Sequence, residues 1–328
     1  MSRSLVAWAR LLGAAAILAV LVWRLGTGPF LDGVHSIDGR SLAAAALIAV
    51  LTTVCCAWRW RTVARGLGVD LPLRTAVAGY YRSLFLNTVL PGGVLGDVHR
   101  GVRHGRDVGD VGRGLRAVAW ERTAGQVVQG VLTTIVLIAL PSPVRSFMPA
   151  IAIALAGLAL GVVLLTRVMP RGGRSRWART WRATRSDVRH GLLVRRAWPG
   201  VVLVSGVIVA GHAATFLIAA RTAGTTASLT RLLPLALLVL LGATVPSIAG
   251  WGPREGVAAW VFSAAGLGER QGVATAVVYG VMVVVATLPG AVVLVVAWLH
   301  RRARRGDPQD PAQGQVPATA RSQGAGHG

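Results

Sequence analysis

The sequence predicts an all-α polytopic membrane protein with about six full transmembrane helices and two re-entrant broken helices that form an inverted repeat. Three observations predict this fold class. Several nearly uncharged apolar runs are long enough to cross the hydrocarbon layer of a bilayer, which takes about 20 helical residues. Arg residues cluster between only some of these runs. Gly and Pro interrupt two other apolar runs.

The composition favours a membrane protein over a nucleic-acid-binding one. Of the 328 residues, 53% are hydrophobic and only 14% are charged. The formal charge of +23 comes from 35 basic residues, all Arg, against 12 acids. A basic soluble protein would suggest nucleic acid as a partner. Here, however, the Arg lie between apolar runs, as the positive-inside rule expects for cytoplasmic loops, so we expect no nucleic-acid partner.

The N-terminus begins like a signal peptide, with Arg3 and Arg10 before an apolar run. The run continues past Trp23 without a convincing small-residue cleavage site, so we interpret residues 11–31 as an uncleaved first span. The second span, residues 41–58, ends in a basic and aromatic stretch that marks the cytoplasmic surface.

Residues 75–96 contain the first interrupted apolar run, with Arg-rich sequence on both sides. Pro lacks an amide donor and Gly lowers helix stability, so the helix must open here. Broken backbone survives in a membrane only where protein or a water-filled cavity supplies hydrogen-bond partners. Because both flanks are basic, we expect the segment to enter and return on the cytoplasmic side.

The third and fourth spans are predicted at residues 117–140 and 147–166, joined by a short outer turn. Residues 167–196 form a large Arg-rich loop with one acid, Asp187. Either a helix lying on the inner leaflet or a simple topology-setting loop explains this composition, and both interpretations make the loop cytoplasmic.

The fifth span, residues 199–220, contains His212, which would serve as an interhelical hydrogen-bonding group or as a proton relay. Residues 232–265 carry the second break, VPSIAGWGPREG. If residues 232–265 cross the membrane an even number of times, the Arg cluster at residues 301–305 stays cytoplasmic. This segment is therefore predicted to be re-entrant from the outer side. The last span is residues 272–299, and residues 301–328 are predicted to be a disordered cytoplasmic tail.

These directions divide one membrane domain, residues 1–300, into halves 1–146 and 147–300 with the same element order and opposite orientation. Many transporters follow this plan, with broken helices that meet near the midplane and form the binding site.

The residues at the breaks suit an anionic ligand. Opened backbone exposes amide donors, and a helix that begins after a break points its positive end into the gap. Arg side chains offer planar forks for phosphate. The candidate substrate-binding residues are Asn87, Gly92, Gly93, Asp97, Arg100, Glu121, Arg122, Trp251, Arg254 and Glu255. Structural ion pairing is the alternative role for the charged members, helix capping for Asn87, and interface anchoring for Trp251.

The stretches LNTVLPGGVLGDVHRGV, AVAWERTAGQ and VPSIAGWGPREGVAAWVFSAAGLG resemble a bacterial flippase-like integral membrane family. That family shares its fold with the transmembrane region of lysylphosphatidylglycerol synthases, and the resemblance covers about residues 5–300. The matching residues are Asn87, Pro91, Gly92, Gly93, Gly96, Asp97, Arg100, Glu121, Arg122, Pro246, Gly250, Gly252, Arg254, Glu255 and Gly256. The resemblance implies a multi-pass protein of the bacterial inner membrane, with cytoplasmic termini, that is associated with lipid translocation.

Full synthases carry a large soluble domain, for which this chain has no room after its last span. We therefore expect translocation of an anionic phospholipid or lipid-linked phosphate. The alternatives are a membrane subunit of a lipid-modifying or glycosyltransferase system whose catalytic domain is on another chain, and a scaffold that binds a partner through residues 167–196. The sequence shows no metal cluster, activated nucleophile or ATP-binding loop, so no cofactor and no self-contained enzymatic activity are expected. It does not indicate an oligomeric state.

Overall fold

The computed structural model describes residues 3–90, 93–147, 197–244 and 251–305, together with the isolated residues 150, 153 and 157. The described residues form ten α-helices and a short 3₁₀ turn. The first-half helices are α1 Arg3–Leu25, α2 Gly28–His35, α3 Gly39–Gly66, α4 Leu73–Val89, α5 Leu95–Asp107 and α6 Val111–Ala139. The later helices are α7 Trp198–Thr222, α8 Leu229–Gly242, α9 Pro253–Ala264 and α10 Glu269–Arg305.

Four described helices are long and apolar enough to cross a membrane, namely α3, α6, α7 and α10. A fifth span is counted if α1 and α2 form one bent unit. The predictions of the second, third, fifth and last spans are therefore confirmed as helices. The predicted fourth span, residues 147–166, and the Arg-rich loop, residues 167–196, lie almost wholly outside the described residues.

The first span, predicted at residues 11–31, is divided into two helices. Helix α1 ends at Leu25, and the α2 axis is bent by 95° from it. Gly26 between them has a φ of 75°, which Gly adopts without steric cost. Pro29 lies in the first turn of α2, where its missing amide donor leaves no hydrogen bond broken. Local Gly and Pro chemistry thus ends α1 at Leu25 and turns the chain into α2.

The tail prediction also needs correction. Helix α10 continues to Arg305, so residues 301–305 are helical and not disordered. Residues 306–328 lie outside the described part of the chain.

Both predicted helix breaks are confirmed. Helix α4 ends at Val89 and α5 begins at Leu95, while α8 ends at Gly242 and α9 begins at Pro253. Gly93, in the first break, has a φ of 64°, and Gly252, in the second break, has a φ of 108°. Each break therefore separates two shorter helices that can pack at different angles against their neighbours.

The core holds the broken helices against the long ones. One apolar cluster joins α7, α8, α9 and α10 around Phe216, Leu235, Phe262 and Met282. A second cluster joins α3, α4 and α6 and includes Trp60 and Tyr80, both 2% exposed. This second cluster lies directly beside the charged residues of the first break.

Close glycine contacts bring α5 against α6. A Cβ added at Gly114 would lie 2.4 Å from the carbonyl oxygen of Gly101, which is closer than real Cβ contacts allow. Small residues of this kind let helix backbones approach closely. The close packing places the charged face of α5 next to the charged turn of α6.

Candidate functional site

Five charged side chains from three helices meet beside the first break, and we call them the first polar cluster. Its members are Arg59 on α3, Asp97 and Arg100 on α5, and Glu121 and Arg122 on α6. The contributions of the three helices are far apart in sequence, so only the packing of α3, α5 and α6 brings them together.

Glu121 is the centre of this cluster and is fully buried. Its Oε1 accepts hydrogen bonds from Arg59 Nε at 2.9 Å and from Arg59 Nη2 at 2.6 Å. Its Oε2 accepts from Arg100 Nη2 at 3.1 Å. The Tyr80 hydroxyl donates to Oε1 at 3.3 Å. One carboxylate therefore compensates two buried guanidinium groups.

Asp97 forms the second centre and is held from four sides. Its Oδ1 accepts from Ser83 Oγ at 2.9 Å and from Arg100 Nη2 at 3.0 Å. Its Oδ2 accepts from Asn87 Nδ2 at 3.0 Å and pairs with Arg122 Nη2 at 2.6 Å. These four donors occupy about as many acceptor positions as a carboxylate has.

Asn87 links α4 and α5, the two helices that flank the first break. Its Oδ1 accepts from the Gly96 amide at 2.8 Å, which satisfies one of the free donors in the first turn of α5. Its Nδ2 holds Asp97. Of the two roles considered for Asn87, the capping role is observed. Gly96 itself is required, because a Cβ there would lie 2.1 Å from the Ser83 carbonyl oxygen.

Arg100 is enclosed between two aromatic rings. Its guanidinium carbon lies 4.4 Å from the Trp60 ring centroid and 4.2 Å from the Tyr80 ring centroid. Its side chain is 1% exposed. Such stacking suits the planar guanidinium and stabilises its charge away from water.

The first polar cluster carries one more positive charge than negative, since three guanidinium groups face two carboxylates. Charges interact more strongly in a low-dielectric interior than in water. An anion that reaches this cluster would therefore be attracted by an uncompensated charge.

A cavity of about 730 Å³ opens beside the cluster. Arg122 is its most exposed charged member, with a side-chain exposure of 38% against 12% for Asp97 and 6% for Arg59. The residues of α6 that line the cavity include Arg122, Gly125, Gln126 and Gln129. The other polar lining residues are Thr52, Thr53, Arg59, Tyr80, Asp97, Ser205, His212, Thr244 and Tyr279.

Arg254 and Glu255 lie at the second break, and we call this pair the second polar cluster. Arg254 donates to Glu255 Oε1 from both Nε, at 2.9 Å, and Nη2. Glu255 Oε2 accepts from the Gly252 amide at 2.7 Å, so the same carboxylate caps α9. Arg254 is 5% exposed and Glu255 is fully buried. The pair is balanced in charge and belongs to a single turn of helix.

Aromatic rings cover the second cluster as they cover the first. The guanidinium carbon of Arg254 lies 5.1 Å from the Trp251 ring centroid and 5.6 Å from that of Tyr279. Trp251 is thus observed as a partner of Arg254. Gly280 leaves room for the guanidinium, because a Cβ there would lie 2.4 Å from Arg254 Nη2.

The cavity extends from the first break towards the second. Gly93 and Val94, in the first break, line one part of it. Ala243 and Thr244, which directly precede residues 245–250, line another part. Tyr279 lines the cavity and also faces Arg254. Gly92 and residues 245–250 lie outside the described residues.

The sequence interpretation missed several members of the site. Arg59 directly follows an apolar run, so the positive-inside rule accounted for it without a binding role. Trp60 and Tyr80 were not singled out, because aromatic residues near an interface are common. Gln126 and Gln129 follow Arg122 by four and seven residues, and this helical spacing was a usable signal.

Comparison with protein-family models finds a match over most of the chain. The family model described as "Lysylphosphatidylglycerol synthase TM region" matches residues 7–290. No curated protein matches the chain, and no solved structure matches it.

Proposed function

Because the chain belongs to the lysylphosphatidylglycerol synthase transmembrane-region family, we propose that it translocates an anionic phospholipid or a lipid-linked phosphate between membrane leaflets. The observation that carries this proposal is the cavity of about 730 Å³ inside a bundle of apolar helices, with Arg122 exposed on its wall. A cavity of this size accommodates a lipid headgroup. The acyl chains stay in the bilayer.

Arg122 is the phosphate contact in this proposal. Its guanidinium pairs with Asp97 through Nη2, and its Nε has no hydrogen-bond partner among the described residues. A phosphate in the cavity would compete with Asp97 for this group. Arg100 and Arg254 are less suited to direct contact, because their guanidinium groups are enclosed by aromatic rings and paired carboxylates.

The packing of the long helices supports the inverted repeat that we infer for the carrier. If α3, α4, α5 and α6 correspond to α7, α8, α9 and α10, then α3 packs against its own counterpart. Helix α4 packs against α10, and the corresponding pair, α8 and α6, is also packed together. A two-fold relation between the halves accounts for both pairings.

We also infer that the protein resides in the bacterial inner membrane with cytoplasmic termini. The basic end of α3, with Arg61 and Arg65, and the basic end of α10, with Arg302, support this orientation.

Leaflet exchange in liposomes tests the proposal. Fluorescent phosphatidylglycerol is placed in both leaflets, and a membrane-impermeant quencher added outside measures how fast inner-leaflet lipid becomes accessible. We expect the purified protein to accelerate this exchange over protein-free liposomes. No acceleration would contradict the proposed function, and co-purification of a transferase in that case would favour the membrane-subunit alternative.

Two matched variants test the role of Arg122. Arg122→Gln should slow exchange by about tenfold to a hundredfold, because a hydrogen bond to a charged group contributes about 1.5–3 kcal/mol. Arg113→Gln is the control, since Arg113 lies on the same helix, is similarly exposed and pairs with Asp110, but is not among the lining residues. Equal exchange rates for the two variants would refute the assignment of Arg122.

A further inference from the structure

We propose that α9 and residues 269–288 of α10, which we call the outer hairpin, form a gate that closes the outer end of the protein, and that Gln271 is its latch. The outer end is the end opposite the basic termini of α3 and α10. This inference rests on the proposed function, because translocation between leaflets requires that the cavity be reached from both sides of the membrane. It follows from where the cavity ends, from the contacts of Gln271 and from the packing of α9 on α10.

The cavity lies in the inner half of the bundle and ends near its middle. On α3, its lining residues run from Thr52, near the middle of the helix, to Arg59, near its basic end. On α10, it is lined by Tyr279, which lies about 15 Å along the helix axis from the outer end. The described turns at the outer end, residues 223–228 and 265–268, do not line it. The cavity therefore does not extend to the outer end.

An apolar core fills the space between the cavity and the outer end. Phe216 on α7, Leu232 on α8 and Phe262 on α9 are fully buried in it. The centroid of the Phe216 ring lies 6.4 Å from that of Phe262 and 5.6 Å from that of Tyr279. Because Tyr279 also lines the cavity, the core begins where the cavity ends. Access from the outer leaflet therefore requires that α9 and α10 separate from α7 and α8.

Gln271 makes a polar contact between these two pairs of helices at the outer end. Its Nε2 donates to the carbonyl oxygen of Ala223 at 2.6 Å and to Thr225 Oγ1 at 2.9 Å, both in the loop that joins α7 and α8. Thr225 is 6% exposed, so the contact is largely shielded from water. Removing the Gln271 amide would take a donor from both acceptors, which costs more in a shielded contact than in an exposed one.

A second contact between the same pairs of helices is exposed. Arg231 Nη2, on α8, donates to the carbonyl oxygen of Ala265, in the turn between α9 and α10, at 3.1 Å. Water competes for both groups at an exposed position, so this contact contributes less than that of Gln271. We therefore assign the latch to Gln271.

Close contacts make the outer hairpin one unit. A Cβ added at Gly272, on α10, would lie 2.3 Å from the carbonyl oxygen of Ala258, on α9. Nearer the middle of the bundle, the guanidinium carbon of Arg254 lies 5.6 Å from the ring centroid of Tyr279. Both contacts join α9 to α10, so we expect the two helices to move together.

Helices α1 and α2 pack on the same hairpin. A Cβ added at Gly33, on α2, would lie 2.9 Å from the carbonyl oxygen of Ala274, and Arg24, on α1, pairs with Glu269 at 3.3 Å. This ion pair therefore lies within the moving unit. It is a polar contact at the outer end that should not hold the gate closed.

Gly252 and Pro289 mark the two ends about which the outer hairpin can turn. Gly252 directly precedes α9 and has a φ of 108°, and Pro289 removes an amide donor inside α10. A Cβ added at the next residue, Gly290, would lie 2.2 Å from the carbonyl oxygen of Tyr81, so α10 is pressed against α4 there. The part of α10 before Pro289 can therefore change its angle while the part after it stays on α4.

Labelling from the outer side tests the gate without a transport measurement. The reporter is Thr244→Cys, since Thr244 lines the cavity, in a protein that also carries Cys55→Ala and Cys56→Ala. A membrane-impermeant maleimide is added outside spheroplasts, and the rate of modification is followed. We expect Gln271→Met, which keeps the side-chain length and removes the amide, to raise this rate at least about fivefold, because the closed state loses its latch.

Glu269→Gln is the matched control for Gln271→Met. Glu269 lies in the same turn of α10, and its substitution breaks the ion pair with Arg24 inside the moving unit. We expect the labelling rate of this variant to match that of the reporter protein. Equal labelling rates for Gln271→Met and Glu269→Gln would overturn the inference.

Cross-linking provides a second test, which does not depend on the stability of Gln271→Met. Thr225→Cys and Gln271→Cys are joined in liposomes by a short bifunctional methanethiosulfonate. We expect the cross-link to abolish leaflet exchange of fluorescent phosphatidylglycerol, and its reduction to restore exchange. Arg24→Cys and Glu269→Cys, joined in the same way, should leave exchange unchanged. Exchange at an unaltered rate with residues 225 and 271 cross-linked would refute the gate.

Failure of the proposed function gives a different result. In that case, the protein without a cross-link would exchange lipid no faster than protein-free liposomes. The labelling rates of the Gln271→Met and Glu269→Gln variants would still show whether the outer hairpin opens.

Discussion

The two polar clusters lie at similar helix breaks but differ in how they are assembled. The first joins residues from three helices, has an excess positive charge and borders a cavity. The second consists of neighbouring residues in one helical turn, is neutral and has its carboxylate engaged in capping α9. The comparison teaches that two helix breaks in one chain can differ in charge balance and in access to a cavity. We propose a binding site at the first break because it combines an excess positive charge with a cavity.

The largest expected difference between the clusters concerns their central carboxylates. Glu121→Gln removes the carboxylate that pairs with Arg59 and one of the two that pair with Arg100, so we expect a loss of about 4–5 kcal/mol in the free energy of unfolding. Glu255→Gln leaves one guanidinium unpaired and should cost about 3 kcal/mol. Equilibrium unfolding in mixed detergent and dodecyl sulfate micelles measures both. A larger loss of unfolding free energy for Glu255→Gln would contradict the expectation that ion pairs contribute more to stability in the first cluster than in the second.

Glycine contacts give the next largest difference. Gly96→Ala places a Cβ 2.1 Å from the Ser83 carbonyl oxygen, so backbone must move. We expect a loss of about 3 kcal/mol. Gly280→Ala places a Cβ 2.4 Å from Arg254 Nη2, at the end of a side chain that can shift. That variant should cost about 1 kcal/mol. Thermal unfolding in detergent compares the two, and a reversed order would show that Arg254 is held more rigidly than the first break.

The smallest expected effect concerns Asn87, which links α4 and α5 across the first break. Asn87→Ala removes the acceptor for the Gly96 amide and one donor to Asp97, so we expect a loss of about 1–2 kcal/mol. Asn87→Asp keeps an acceptor but adds a negative charge beside Asp97. If Asn87→Asp is as stable as the wild type, the contact with Asp97 contributes little. Proteolysis within residues 90–94 provides an independent measure of local opening.

Much of the fold was predictable because it depends on local composition. Apolar runs of sufficient length define α3, α6, α7 and α10, since about 20 helical residues cross the hydrocarbon layer. Pro and Gly define both breaks, since they remove hydrogen bonds or lower helix stability wherever they lie. The sequence analysis does not predict the bend between α1 and α2, because the apolar run continues through Gly26 and Pro29, the residues at which the chain turns.

The site was only partly predictable. Asp97, Arg100, Glu121 and Arg122 were singled out from the breaks and from the resemblance, and the structure brings them together. Arg59 was not singled out, because its partner Glu121 is 62 residues away. No sequence pattern predicted which guanidinium faces the cavity.

By itself, the sequence determined that the chain is a helical membrane protein, where its helices break and which family it belongs to. These properties follow from hydrophobicity, backbone chemistry and motif residues, all of which act over a few positions. Only the tertiary structure decided that Arg59, Arg100 and Arg122 share two carboxylates and that Arg122 alone among them is substantially exposed. The physical reason is that ion pairing and exposure depend on how α3, α5 and α6 pack, and close glycine contacts between helices set that packing.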